Sequence, residues 1–209
     1  MRKAMVVGQL RTTDVSDPRV IAVMSDVARE DFVPAASRNV AYSDRGVAIG
    51  DGRSLNAPLA TGLLINVADI RADDRVLIVG AATGYCAAIV AQLADQVVAV
   101  EQSAKLATKA KANLADHANV QVEKNNHADG FAKAAPYSVI LIDGVVDQIP
   151  QTLVDQLADQ GRLVTAVNDG AVARLALGHK AGDAIGFQYF ADYGGCTLPG
   201  FDQPQSFTF

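Results

Sequence analysis

The sequence is poor in the residues that mark several classes of protein. Its 209 residues include two cysteines, three histidines and no tryptophan. Cys86 and Cys196 lie far apart and neither belongs to a CxxC pair, so the pattern favours neither a disulfide framework nor a zinc site. We therefore expect no resident metal and a reducing compartment.

Long apolar runs and an excess of positive charge are also missing. The longest uncharged apolar run, residues 57–68, is shorter than the ~20 residues that a membrane-spanning helix needs, and the first residues lack the apolar stretch of a signal peptide. With 18 Lys and Arg against 23 Asp and Glu, the net charge is −5, which disfavours binding to phosphate backbones. The sequence predicts a soluble cytoplasmic protein without a nucleic-acid or membrane partner, and it leaves the oligomeric state open.

What is present is the composition of one globular domain. Half of the residues are apolar and a fifth are charged, enough to bury a core, and the length suits a single core. We predict one domain over residues 1–209, with a helical segment at 1–70, a core of strands and helices at 71–170, and edge strands with a tail at 171–209.

Two helix starts are marked in the first 70 residues. Asp17 precedes Pro18, which predicts a helix capped by the Asp17 carboxylate with proline at its first position. Pro58 opens a second helix with apolar residues at helical spacing. Residues 43–53 between them are polar and rich in glycine, so they are predicted to form a loop, and whether it closes over a ligand stays open.

From residue 75 the pattern changes to an alternation of strands and helices. Continuous β-branched runs predict strands buried on both faces. Strands are predicted at 76–79, 97–100, 120–122, 139–142 and 162–164, with helices at 87–93, 105–115 and 150–157. This order predicts an α/β fold: a Rossmann-like, doubly wound and mostly parallel sheet, whose ligands bind beyond the carboxyl ends of the strands.

The end of the chain is locally aromatic. Seven of the 12 Phe and Tyr residues fall between Phe187 and Phe209. We interpret them mainly as the packing of antiparallel edge strands and a docked C-terminus; a ring-stacking ligand site is the less favoured alternative.

The stretch from Gly80 to Tyr85, between the first buried strand and its helix, indicates a nucleotide site. Small residues let a ligand approach the backbone, and a helix start offers free N–H groups. The chain lacks the Gly-Lys-Ser/Thr of a P-loop, and it has Ala82 and Tyr85 where a dinucleotide fingerprint needs glycine. The looser G-x-x-x-G of Gly80 and Gly84 suits a nucleoside that carries a bulky amino-acid group.

Acidic residues follow the next two strands. Glu101 ends the second strand about 20 residues after Gly80, the spacing expected for a carboxylate that binds ribose hydroxyls. Asp129 and Gly130 follow the third strand, where the aspartate could reach an adenine amino group. The alternative for this pair is an ordinary Asp-Gly turn.

These residues, in this order, resemble the class I S-adenosylmethionine-dependent methyltransferases, and specifically the protein-L-isoaspartate O-methyltransferase family. The resemblance runs through most of the chain. It is most specific in the N-terminal region, which the broader class lacks. The matching stretches are residues 5–9, 15–20, 29–34, 41–44, 79–85, 100–101, 128–130, 149–150 and 161–164.

The resemblance implies an activity and a set of site residues. The activity is S-adenosylmethionine-dependent methylation of the carboxylate of isoaspartyl residues in damaged proteins or peptides, the expected partners; the ester then collapses to a succinimide, which allows repair. The implied cofactor contacts are Gly80, Ala82, Thr83, Gly84, Tyr85, Glu101, Gln102, Asp129 and Gly130. Residues 52–58 occupy the place of the substrate segment of the family, so Ser54 and Asn56 are the implied catalytic residues.

No catalytic histidine is required for this chemistry. A carboxylate with a pKa of ~4 is already ionised at neutral pH, so the reaction needs alignment and partial desolvation more than a general base. We interpret His117, His127 and His179 as exposed or locally bonded.

Departures from the family pattern keep an alternative open. Asn56 replaces the family serine and is equally interpreted as the N-cap of the helix at Pro58. Ala82 replaces a glycine, which would cost about 1–2 kcal/mol at a positive φ. Ile78 replaces an acidic residue, and the segment from Leu198 to Phe201 differs from the best-known members. The alternative is a non-catalytic or redirected protein of this fold that binds a peptide, a partner or another carboxylate substrate.

Overall fold

The computed structural model describes residues 1–168, 170, 172–192 and 195–201. In these residues the α-helices are α1 (Arg2–Met5), α2 (Pro18–Asp26), α3 (Pro58–Ala68), α4 (Tyr85–Val90), α5 (Ala104–Asn113) and α6 (Gln151–Val154). The strands are β1 (Val47–Gly50), β2 (Arg53–Leu55), β3 (Arg75–Val79), β4 (Gln96–Glu101), β5 (Val120–Lys124), β6 (Tyr137–Val146), β7 (Leu157–Asn168), β8 (Ala173–Ala181) and β9 (Ala184–Asp192). A π-helix (Val6–Leu10) continues α1, and short 3₁₀ helices fill several connections.

Seven strands form the central sheet in the order β5-β4-β3-β6-β7-β8-β9. The pairs from β5 to β7 are parallel, and β8 and β9 add antiparallel edge strands. The predicted fold class is therefore confirmed, including the change to antiparallel pairing at the C-terminal edge.

Strand β3 is buried on both faces, as its β-branched sequence predicts. Val76 and Ile78 face one hydrophobic cluster, which also takes the apolar side chains of the N-terminal helices. Leu77 and Val79 face a second cluster on the other side of the sheet. Ile78 is fully buried, so the side chain at this departure from the family serves the core.

The predicted helix starts are confirmed. The Asp17 carboxylate accepts a hydrogen bond of 2.8 Å from the Arg19 amide, with Pro18 at the first turn of α2. Pro58 opens α3. Burial of one face then fixes these helices on the sheet, because an isolated helix of this length is marginal in water.

The loop prediction for residues 43–53 is confirmed for 43–46 and 51–52 and wrong for 47–50 and 53, which lie in strands. Strands β1 and β2 pair there as an antiparallel hairpin, with Val47 opposite Leu55. Alternate residues of β1 are buried, so the hairpin has an apolar face despite its polar sequence. Three consecutive residues with positive φ, Gly50, Asp51 and Gly52, make its turn.

The aromatic tail is partly described. Phe187, Tyr189 and Phe190 lie in β9, and Phe201 is buried at the end of the described chain. Tyr193, Phe207 and Phe209 lie outside the described residues. In the described part, no helix combines the length and the hydropathy needed to span a bilayer.

Candidate cofactor site

The candidate site lies at the point in the sheet where the strand order reverses: β4 and β5 lie on one side of β3, and β6 and β7 lie on the other. Strands β3 and β6 are neighbours although β4 and β5 come between them in sequence. In open α/β sheets ligands bind in the crevice beyond the carboxyl ends of the strands at such a point. Gly80 follows β3, Glu101 ends β4 and Asp143 lies in β6, so all three belong to this edge.

The turn after β3 has the conformation that its glycines permit. Gly80 has φ +87° and Gly84 has φ +98°. Ala82 also has a positive φ, +53°, so this departure from the family stores about 1–2 kcal/mol of strain. The amides of Gly80 and Ala81 both donate to the Val100 carbonyl at 2.9 Å, which ties the turn to β4.

The second half of the turn faces the N-terminal segment. The Thr83 hydroxyl donates to the Phe32 carbonyl at 2.6 Å, and the Asn113 amide donates to the Thr83 carbonyl at 2.8 Å. The Tyr85 ring meets Phe32 edge to face, with ring centres 5.6 Å apart, and the Arg29 guanidinium lies 4.6 Å from its centre. Burial raises the pKa of Tyr85 to about 12. Through these contacts Thr83 and Tyr85 attach the turn to the N-terminal segment.

Glu101 is the most constrained carboxylate of the site. It is 1% exposed and forms an ion pair with Arg53, whose side chain is 6% exposed; the closest N–O distance is 2.9 Å. The Ala82 and Ser103 amides also donate to its two oxygens, at 2.8 and 2.9 Å. Burial alone would raise the pKa of Glu101, but the hydrogen bonds to its oxygens and the Arg53 charge hold it below its usual value. Glu101 is therefore ionised and fully bonded within the protein.

His127 is buried beside this pair, although the sequence suggested an exposed or locally bonded residue. Its Nδ1 lies 2.9 Å from the Pro199 carbonyl, and the Gln102 amide lies 3.1 Å from Nε2. A carbonyl can only accept and an amide can only donate, so this network assigns the proton to Nδ1. The ring thereby joins β4 to the C-terminal segment, which the sequence did not indicate.

Asn56 lies at the junction of β2 and α3 and bridges two parts of the chain. Its Nδ2 donates to Asp143 Oδ1 at 2.8 Å, and its Oδ1 accepts from the Cys196 amide at 2.8 Å. The cap position of α3 is Ala57, so the capping interpretation of Asn56 is wrong. Burial raises the pKa of Asp143, against the opposing effects of the Asn56 hydrogen bond and the Arg53 charge.

The last two predicted cofactor residues have partners of their own. Asp129 is exposed, and its carboxylate accepts from the Asn126 side chain at 2.9 Å. Gly130 has φ +55°, and a Cβ added there would come within 2.7 Å of Gln156 and Leu153. These contacts agree with the Asp-Gly turn that the sequence analysis kept as an alternative.

Gly84 and Ser54 also have packing neighbours. A Cβ added at Gly84 would meet Leu114 at 2.8 Å, so the lack of a side chain at Gly84 leaves room for the buried Leu114. Ser54 is half-buried in β2, opposite Ala48.

The structure adds site residues that sequence reasoning missed. Arg53, His127 and Asp143 form a buried polar cluster with Glu101 and Asn56. A signal was available for two of them: Arg53 lies within residues 52–58, which occupy the place of the substrate segment of the family, and Asp143 follows the apolar run predicted at 139–142, within β6 at the switch point. His127 carried no such signal.

Comparison of the fold with solved structures identifies the class of protein. A protein-L-isoaspartate O-methyltransferase of known structure superposes on this chain with a TM-score of 0.83 and 25% identity, covering 96% of this chain and 66% of the other. The chain thus spans about two thirds of that protein. A Plasmodium falciparum protein of the same description, solved in complex with S-adenosyl-L-homocysteine, gives a TM-score of 0.79 at 21% identity over 94% of this chain and 97% of the other. The fold is that of a class I methyltransferase.

Sequence comparison then gives the family. The sequence model of the protein-L-isoaspartate(D-aspartate) O-methyltransferase family matches residues 1–190 of this chain. The protein-L-isoaspartate O-methyltransferase of Methanoculleus marisnigri is 38% identical over 79% of this chain and 76% of its own length. That of Methanoregula boonei is 37% identical over 87% and 84%. The chain belongs to the protein-L-isoaspartate O-methyltransferase family.

The crevice in this conformation does not fit the cofactor of that family. Both oxygens of Glu101 are bonded to Arg53 and to backbone amides. Gly80 is covered as well, because a Cβ there would lie 2.7 Å from the Leu198 side chain. Glu101 and Gly80, which the sequence analysis assigns to the cofactor, are therefore in contact with the chain itself.

Proposed function

We propose that this protein is an S-adenosylmethionine-dependent methyltransferase that esterifies the carboxylate of isoaspartyl residues. The observation that carries the proposal is the family match over residues 1–190, since it includes the N-terminal segment that other class I methyltransferases lack. The turn at Gly80 and the buried Glu101 at the end of the next strand support it, because a class I cofactor site is built from these two elements.

The substrate carboxylate is proposed to bind near the junction of β2 and α3. Ser54 and Asn56 are the proposed contact residues there, since they stand in the substrate segment of the family. An isoaspartyl carboxylate is ionised at neutral pH, so the chain has to hold it and remove water from it, and no general base is needed. The buried surroundings of Asn56, 4% exposed, favour that desolvation.

The proposed partners are proteins or peptides that carry isoaspartyl residues, and the proposed location is the cytoplasm. Both cysteines are unpaired thiols, and Cys86 is buried, as suits a reducing compartment. The net charge of −5 gives no reason to propose a nucleic-acid substrate.

The test is methyl transfer to a defined peptide. The protein is incubated with S-adenosylmethionine and an isoaspartyl peptide, and base-labile methyl ester is measured; the same peptide with normal aspartate is the control. Ester on the isoaspartyl peptide alone supports the proposal, and equal ester on both peptides contradicts the substrate assignment. Ser54→Ala is expected to raise KM, because a hydroxyl contact to the carboxylate is lost.

A second candidate is a non-catalytic protein of the same fold. The observation that favours it is the Arg53–Glu101 ion pair, since it occupies the ribose-binding carboxylate. This candidate predicts that no ester forms on the isoaspartyl peptide, even in the variant Arg53→Gln, which lacks the ion pair.

A further inference from the structure

We propose that Arg53 and the C-terminal residues 196–201, here called the strap, close the cofactor crevice from within, and that cofactor binding requires their displacement. This inference rests on the proposed function, since it concerns the same crevice. It explains why a family member has a cofactor site filled by its own side chains.

The strap is fixed to the end of β6 by backbone hydrogen bonds. The Val145 amide donates to the Cys196 carbonyl, and the Leu198 amide donates to the Val145 carbonyl, both at 2.9 Å. Residues 145 and 197 thereby form a parallel bridge. The strap continues the sheet pattern at the edge where the crevice opens.

Two side chains hold the strap from the walls of the crevice. The Asn56 amide oxygen accepts from the Cys196 amide at 2.8 Å. The His127 ring donates to the Pro199 carbonyl at 2.9 Å. Both walls belong to the polar cluster around Glu101, so the attachment of the strap and the bonding of Glu101 are parts of one network.

The strap is fitted against positions that have no side chain. A Cβ added at Gly46 would meet Cys196 Sγ at 2.7 Å, and one added at Gly80 or Gly144 would meet Leu198 at 2.7 Å. Leu198 is 1% exposed and belongs to the second hydrophobic cluster. The strap therefore packs closely against these three glycines, and the Leu198 side chain covers Gly80.

Arg53 completes the closure from the β1–β2 hairpin. Its Nη1 bonds both oxygens of Glu101, at 3.1 and 2.9 Å, and its Nη2 lies 3.4 Å from the Gly80 carbonyl. A ligand that takes the Glu101 carboxylate must therefore break a buried ion pair. The pair is buried, and Leu198 and Arg53 both approach the Cβ position of Gly80, so release of the strap is expected to admit water at this point and weaken the pair.

Two of the departures from the family, Asn56 and the segment from Leu198 to Phe201, take part in this closure. Asn56 replaces the family serine and attaches the strap, and the strap itself is the part of the tail that differs from the best-known members. A shorter serine side chain at this position would not span the distance that Asn56 bridges between Asp143 and Cys196. The geometry points to these differences acting together.

The test is binding of S-adenosyl-L-homocysteine by titration calorimetry to the wild type and to two opened variants, Leu198→Ala and Arg53→Gln. The apparent affinity of a ligand falls with the fraction of protein that is open, and truncation of a buried leucine weakens the closed state by more than a factor of ten. We expect both variants to bind S-adenosyl-L-homocysteine with an affinity at least roughly tenfold higher than that of the wild type. Leu175→Ala is the matched control, since Leu175 is also 1% exposed but belongs to the other hydrophobic cluster, and its affinity should equal that of the wild type.

A second readout follows the strap directly. Cys196 sits in the strap and is half-buried, while Cys86 is enclosed in α4 and serves as the slow internal reference. Because linkage is reciprocal, S-adenosyl-L-homocysteine should accelerate the labelling of Cys196 by a thiol reagent in the wild type, and Leu198→Ala should accelerate it without ligand.

The outcomes separate this inference from the proposed function. Equal affinity in the wild type and both opened variants overturns the closure, as does binding that leaves Cys196 labelling unchanged or the absence of binding in every variant. If ligand binds more tightly to the opened variants but no variant esterifies the isoaspartyl peptide, the closure stands and the proposed function fails.

Discussion

Removal of the Glu101 charge is the most informative perturbation of stability. Glu101→Gln keeps the shape of the side chain but leaves Arg53 as a cation that is 6% exposed without an ionised partner. Loss of one member of a buried pair costs about 3–5 kcal/mol, because the other charge stays buried. We expect the lower part of this range, since Arg53 also approaches the Gly80 carbonyl.

The assay is urea unfolding at pH 7, with the free energy of unfolding as the measured quantity. The exposed pair of Asp31 and Arg38, with side chains 64% and 57% exposed, is the control, and Asp31→Asn should change the free energy by less than about 0.5 kcal/mol. The double variant Glu101→Gln with Arg53→Met should recover part of the loss, because the unpaired cation is then removed as well.

The pH dependence gives an independent check on the same pair. The pKa of Glu101 is lowered in the folded state, so its contribution to stability is present above the usual carboxyl pKa and is lost as the pH falls through the lowered one. The deficit of Glu101→Gln should therefore shrink in acid. A deficit below about 0.5 kcal/mol at pH 7, or equal deficits for Glu101→Gln with and without Arg53→Met, would refute the reasoning.

Three further predictions concern single residues of the site. The pKa of Asp143 is raised by burial, so its ionised form costs stability at neutral pH; Asp143→Asn should raise the free energy of unfolding at pH 7, a gain that vanishes as the pH falls through the carboxyl range, and no gain at pH 7 contradicts it. Ala82→Gly should stabilise by about 1 kcal/mol in urea unfolding by removing strain at φ +53°, whereas Ala81→Gly, without that strain, should not stabilise. Asn56→Ser should hold or raise ester formation on the isoaspartyl peptide, because the strap loses one attachment and serine, the family residue, can still donate to the substrate carboxylate; a fall in ester formation would contradict this.

Local patterns were sufficient to predict most of the fold. The strands β3, β4 and β6 are continuous β-branched runs, and α2 begins at an Asp-Pro pair, so periodicity and capping alone identify them. The hairpin of β1 and β2 was missed because its polar, glycine-rich sequence reads as a loop. Its burial arises from contacts with distant parts of the chain, which local propensity does not encode.

The site was predictable only where spacing along the chain carries the information. Gly80 follows β3 and Glu101 ends the neighbouring strand β4, so their spacing places them at one edge of the sheet. The partners of Glu101 were not predictable in this way. Arg53 and His127 reach it from a hairpin and from the segment after β5, and Pro199 reaches His127 across 72 residues, a distance over which sequence spacing has no regular consequence.

The contacts of the turn after β3 have a consequence for how the protein can be divided. Thr83 and Tyr85 are held by Phe32 and Arg29, which belong to the N-terminal segment. Truncation before β3 would expose the Tyr85 ring and leave the Thr83 hydroxyl without its acceptor. The first 70 residues therefore support the turn after β3, and a fragment that begins at residue 71 should lose the shape of that turn even if its sheet still assembles.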